Sequence, residues 1–216
     1  VFDNRFTIVK LPRQSGKSTV VAAILLWYVL FNENYSVAIL ANKENGSKEV
    51  LRRIKLAYQN LPPWLQQGIS DGGWNKNSIE LENGSRISAE TTSEDSGRGP
   101  SNNLVYLDEF AIVEPNIQEA FFASVFPTIS SGQSTKVIIT STPKGLNYFY
   151  KIWTESEQGR NEFKRIDIHW SETPGRDENW KKSQLQAIGE EKFRQEFETE
   201  FLGSSATLIS GTKLRM

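Results

Sequence analysis

The sequence contains no cysteine, one histidine and one methionine, and its charges nearly cancel, leaving a formal net charge of -1. Without cysteine there is no disulfide scaffold and no thiolate metal site. A lone histidine, His169, builds neither a zinc site nor a catalytic triad, and it reads as a strand-end packing residue. The charge balance gives no global attraction to nucleic acid, so any such contact needs a local patch. The longest apolar run, 20–31, is broken by Trp27 and Tyr28 and is too short to span a bilayer. The polar opening residues do not resemble a signal peptide.

What is present is an ordinary globular composition. The 216 residues, 38% of them hydrophobic, suffice for one large or two small domains with a real core. No internal repeat or low-complexity tract interrupts it. The first residue is not Met and the last six form no obvious closing element, so the expectation is a fragment of a longer protein.

One stretch organises the rest. An apolar strand at 5–9 runs into Pro12-Arg13-Gln14-Ser15-Gly16-Lys17-Ser18-Thr19, and a long apolar helix over 19–31 follows. Gly16-Lys17-Ser18 is the second half of a phosphate-binding loop, in which backbone N–H groups and a helix N-terminus converge on polyphosphate oxygens. Lys17 would reach the terminal phosphates, and the Ser18 hydroxyl would hold Mg²⁺. The general pattern places a glycine five residues before Gly16, where this chain has Leu11.

Downstream, 36–41 reads as a buried strand and 44–60 as a helix stopped by Pro62-Pro63. Lys48, Arg52, Arg53 and Lys55 share roughly one side of that helix. A solvated face is the simpler reading, and a DNA-facing patch is the alternative. Alternation over 78–82 and 86–90 around Asn83-Gly84 predicts a hairpin, an antiparallel addition to the sheet, with Trp64 and Trp74 as packing residues beside it. Polar 93–103 is irregular. Further strands are expected at 104–109, finishing in two carboxylates, at 136–142 and at 163–169, and helices at 116–125, 146–157 and within 177–201. Strands alternating with helices indicate an α/β fold with a mainly parallel sheet.

In such sheets ligands bind beyond the carboxyl ends of the strands. The phosphate loop, Asp108-Glu109 and Thr140-Ser141-Thr142 all lie at such ends and should converge. Asp108 is placed to support the Mg²⁺ held by Ser18, and Glu109 to polarise the attacking water. Arg13 could reach the γ-phosphate in cis. Arg98, flanked by Gly97 and Gly99, could act on this site or on a neighbouring subunit's. Thr140, Ser141 and Thr142 could sense the γ-phosphate and relay its presence to Pro143-Lys144-Gly145.

Taken together, Pro12 to Ser18, Leu107-Asp108-Glu109 and Thr140 to Gly145 resemble the large terminase subunit of tailed bacteriophages, in its T-even-like branch. Trp74-Asn75-Lys76, the segment from Ser78 to Ser85 and Phe193-Arg194-Gln195-Glu196 also look like that branch. The family's loop has no leading glycine, as here at Leu11. The resemblance implies a P-loop NTPase fold of the RecA/ASCE type and an ATPase that translocates double-stranded DNA into a procapsid, with ATP and Mg²⁺ as cofactors. It implies that Arg13, Gln14, Ser15, Gly16, Lys17, Ser18, Thr19 and Asp108 hold the nucleotide, with Ser18 and Asp108 toward the metal. Glu109, Arg13 and Arg98 would be catalytic, and Thr140, Ser141 and Thr142 the coupling motif.

The implied partners are double-stranded DNA, a portal protein, a small terminase subunit and further copies in a ring, in the host cytoplasm and without a membrane. An ATPase core over 1–170 and a helical part over 171–216 are expected. The family's adenine-recognition segment would precede Val1, and its nuclease domain would follow Met216, so no nuclease activity is expected of this fragment. A helicase or other DNA-translocating ATPase is the alternative enzyme, and a non-hydrolysing nucleotide-binding scaffold is the alternative of another class.

Overall fold

The computed structural model describes residues 2–93, 102–131 and 134–203. Eight strands form one sheet in the order β3-β4-β5-β2-β6-β7-β1-β8. Its centre is built from β1 (Phe6–Lys10), β2 (Ser36–Ala41), β6 (Leu104–Asp108) and β7 (Lys136–Ser141). These strands are nearly continuous in buried apolar residues, as strands covered on both faces must be. All of them pair in parallel, and β8 (Lys164–Asp167) adds a parallel edge beside β1.

The predicted hairpin exists, as β4 (Ser78–Leu81) against β5 (Arg86–Thr91), and they pair antiparallel. Its second arm also pairs parallel to β2 and so belongs to the main sheet. The edge strand β3 (Ile69–Asn75) was not anticipated. Asp71, Gly72 and Gly73 erase its alternation, and its register against β4 is irregular.

Helices cover both faces. On one, α1 (Lys17–Phe31) and α2 (Glu44–Gln59) bury Leu25, Val29, Leu51 and Ile54 against Val37, Ile39 and Tyr106. On the other, α3 (Pro115–Ser124), α4 (Phe126–Ser131) and α5 (Tyr148–Glu157) bury Phe121, Phe149 and Ile152 against Ile8, Val105, Leu107 and Ile139. Each fully buried aliphatic chain contributes about 1.5–3 kcal/mol. A third, smaller cluster joins Trp170, Phe193 and Phe197 with Trp180 across α6 (Glu178–Ile188) and α7 (Glu190–Glu196), which Gly189 separates at φ 79°.

Two residues expected to pack do not. Trp64 is 82% exposed in the turn after Pro62, whereas Trp74, at the edge, leans on Tyr58 under the Lys55 ammonium. His169 is exposed and caps a short turn, its Nδ1 accepting from the Ser171 N–H. Among the cations of α2, Lys55 also donates to Asn75 O, and the other three form ion pairs along the helix. Lys48 pairs with Glu44, and Arg52 and Arg53 both pair with Glu49, at helical spacings.

Candidate active site

Strands β6, β7 and β1 are consecutive in the sheet, so the loops at their carboxyl ends lie side by side. The register sets Asp108 beside Thr140 and Lys10 beside Ser141. The loop after β1 therefore faces both motifs directly.

The loop is shaped by backbone conformation. Gln14 at φ 54° and Gly16 at φ 81° are both left-handed, and two such residues bend the chain into a concave nest of N–H groups. A Cβ added at Gly16 would meet nothing within 4 Å, so glycine serves the dihedral and not the space. Helix α1 starts at Lys17 with no side-chain cap and no acidic residue in its first turn, leaving its positive end open to an anion. Ser15 Oγ is buried and has no partner among the described residues. A phosphate oxygen would supply one. Leu11, where the general motif has glycine, is buried. Its N–H bonds Ser141 O at 3.3 Å and its carbonyl accepts Thr142 Oγ1 at 3.1 Å.

Lys17 joins the loop to the carboxylates. Its Nζ is 2.8 Å from Asp108 Oδ1 and 3.4 Å from Glu109 Oε1. Asp108 is buried at the end of β6, and its charge is further held by Tyr106, whose hydroxyl donates to Oδ1 at 2.7 Å. The same hydroxyl lies 2.8 Å from Thr140 Oγ1, and Thr140 Oγ1 is 3.3 Å from Asp108 Oδ1. Full burial, then the Asp108 charge, pushes the Tyr106 phenol well above its usual value of 10, so it stays a neutral donor. Serine and aspartate oxygens suit a hard cation such as Mg²⁺, so Ser18 and Asp108 fit the metal role by donor chemistry.

Glu109 adopts φ 50°, ψ 41°, a conformation that costs a non-glycine residue about 1–2 kcal/mol. Its side chain is 56% exposed beside Lys17. The turn after it, Phe110–Ile112, is bracketed by Ser141 and Asn147. Ser141 Oγ accepts from Ala111 N–H at 3.1 Å, and Asn147 Nδ2 donates to Ala111 O at 2.7 Å. Buried Gln118 extends the bracket, donating to Phe110 O and Val113 O and accepting from Tyr148 N–H. A cavity of ≈ 450 Å³ opens beside this bracket, lined by Val113, Glu114, Lys144 and Tyr148.

Of the residues singled out from sequence, Lys17, Asp108, Glu109 and Thr140 meet in direct contact, and Ser141 and Thr142 tie that cluster to its surroundings. Arg13 turns elsewhere, with Nε 2.7 Å from Glu196 Oε2. Thr19 Oγ1 accepts from Arg53 Nη1 at 3.3 Å. Arg98 lies outside the described residues. Sequence reasoning missed Tyr106, although a tyrosine two residues before Asp108 shares its face of the strand. It also missed Arg176, which donates to the carbonyls of Arg13 and Gln14 from a point more than 160 residues along the chain.

Comparison with known proteins gives consistent results. The family described as terminase large subunit, T4likevirus-type, N-terminal, matches residues 8–216. The ATPase domain of the Thermus phage P74-26 large terminase superposes with a TM-score of 0.71 at 19% identity, covering 92% of this chain and 89% of that one. The HK97 bacteriophage large terminase gives 0.73 at 18% identity, covering 92% of this chain and 47% of that one. A large terminase from a thermophilic bacteriophage, in complex with ADP, gives 0.71 at 11% identity, covering 93% of this chain and 50% of that one. The fold is thus that of a P-loop ATPase, a mostly parallel sheet flanked by helices, and the chain belongs to the T4-like large terminase N-terminal family.

Proposed function

We propose that this chain is the ATP-hydrolysing core of a viral motor that moves double-stranded DNA into a procapsid. The observation that carries this reading is the Lys17 ammonium, shared between Asp108 and Glu109 at the open end of α1. A terminal phosphate gripped by Lys17 is thereby brought next to one carboxylate held by neighbours and one that is not. Family membership, and the ADP bound in a relative of the same fold, support the nucleotide.

The loop from Arg13 to Thr19 binds the phosphates, through the N–H groups of Gln14 to Ser18, with Lys17 on the terminal ones and Ser15 Oγ satisfied by a phosphate oxygen. Ser18 and Asp108 are the residues that would hold Mg²⁺, which would supply positive charge to offset that of the phosphates. Glu109, free of the Tyr106 and Thr140 hydroxyls, orients the attacking water and accepts its proton. Arg13 in cis, and Arg98 in cis or in trans, stabilise charge on the transferred phosphoryl group. Thr140, Ser141 and Thr142 carry the change onward, because Thr140 touches Asp108 while Ser141 holds the turn behind Glu109. Portal, small terminase subunit and ring neighbours are the partners of such a motor.

The test is packaging itself. Full-length protein mixed with procapsids and linear duplex DNA should render the DNA nuclease-resistant only with hydrolysable ATP. Active ATP hydrolysis with strand displacement and no protected DNA would replace this reading with a helicase.

A further inference from the structure

Arg176 lies just before α6, and its Nη2 donates to two consecutive carbonyls of the phosphate loop, Arg13 O at 2.6 Å and Gln14 O at 3.0 Å. The guanidinium rests over the Trp180 ring at 4.6 Å and the Phe197 ring at 5.3 Å. Its Nη1 is buried without a partner among the described residues. Burial pushes its pKa down, yet an arginine keeps its proton, and no carboxylate among the described residues pairs with it. The direction of the two bonds decides what the front of the loop offers. Every described peptide bond is trans, and in a trans peptide the carbonyl and the following N–H point opposite ways. Arg13 O turned back to Arg176 therefore turns the Gln14 N–H forward, and Gln14 O does the same for the Ser15 N–H. Neither N–H has an acceptor among the described residues. Gln14 also holds φ 54°, which a non-glycine residue keeps only under an outside constraint, and the bonds from Arg176 supply one.

We propose that Arg176 is a positioning residue for phosphate binding. It clamps the Arg13 and Gln14 carbonyls behind the loop, so that the Gln14 and Ser15 N–H groups face a polyphosphate, and its unpaired charge adds to the field there. The inference rests on reading the Lys17 site as a nucleotide site. The clamp shapes the loop before any ligand arrives. It therefore favours every ligand that seats a phosphate in the nest, and it does not tell a diphosphate from a triphosphate. It holds the seated phosphate alike before and during transfer, so it lowers KM and leaves the chemical step to other groups.

The test uses full-length protein and measures equilibrium binding of pyrophosphate, ADP and ATPγS together with steady-state ATP hydrolysis. The proteins are the parent, Arg176→Gln, Arg176→Met, and Lys182→Gln as a charge control on α6. Met keeps an unbranched chain over Trp180, so it serves if the Gln variant does not fold, and urea midpoints identify the folded proteins. Either Arg176 variant should weaken all three ligands by one common factor of about five- to thirtyfold, part of the worth of a charged hydrogen bond. KM should rise with it while kcat stays within about threefold of the parent. The control should match the parent. Parent-like pyrophosphate affinity in a folded Arg176 variant, or a loss confined to kcat, overturns the proposal. If the parent binds none of the three ligands, the nucleotide site itself is wrong; parent binding that the Arg176 variants retain removes the Arg176 role alone.

Discussion

Tyr106→Phe removes one oxygen from a fully buried ring, the hydroxyl that Asp108 and Thr140 share, without changing the shape of the core. The hydroxyl makes two bonds, to Asp108 Oδ1 at 2.7 Å and to Thr140 Oγ1 at 2.8 Å. A hydrogen bond to a charged group contributes about 1.5–3 kcal/mol and a neutral one about 1 kcal/mol. Thr140 Oγ1, already 3.3 Å from Asp108 Oδ1, recovers part of this by closing on the carboxylate, and Lys17 remains as a partner. The net loss should be about 2–3 kcal/mol, read as a lower urea midpoint at unchanged slope. Thr140→Val alone keeps the Tyr106–Asp108 bond and should cost less. Because the three groups form one network, the double variant should depart from additivity by about 1 kcal/mol. A Tyr106→Phe protein within about 0.5 kcal/mol of the parent, or strictly additive losses, would refute the network as the link between β6 and β7.

Two further substitutions probe the surroundings of Glu109. Ser141→Ala leaves the Ala111 N–H buried without its acceptor and should cost about 1–3 kcal/mol in thermal or urea unfolding; a loss under about 0.5 kcal/mol would show that another group takes the bond. At Glu109, Gly should be more stable than Ala by about 1 kcal/mol, because only glycine adopts φ 50° without strain; equal unfolding midpoints would mean that the backbone there is not held left-handed.

What could be read from sequence follows from which forces are local. Gly16-Lys17-Ser18 and the buried strands ending at Asp108 and Ser141 are short-range patterns, and apolar runs of strand length bounded by turns left little choice of element. That the three strand ends meet followed from the parallel-sheet rule, but their adjacency as β6-β7-β1 is a property of the topology. Strand β3 was illegible because Gly72 and Gly73 carry no side chain to alternate, and Trp64 was misjudged because an aromatic residue in a Pro-rich turn has no sequence mark of exposure. The Arg13–Glu196 pair and the Arg176 contacts join residues more than 160 positions apart, and neither the phosphate loop, the Pro174-Gly175 turn nor the solvated helix that carry these side chains marks the contact locally. Phe193 to Glu196 stood out by resemblance, without any local reason for a role.

In the proposed reaction Lys17 presents a terminal phosphate to Glu109 while Asp108 stays committed to its own partners. The most direct measurement is ATP hydrolysis and nucleotide binding, side by side, for full-length Glu109→Gln. Gln keeps the size and the hydrogen-bonding reach of the side chain but cannot take a proton from water. Turnover should fall by about 10²–10⁴-fold, the share that a positioned base supplies, with ATP affinity within about twofold of the parent. Undiminished turnover would contradict the account.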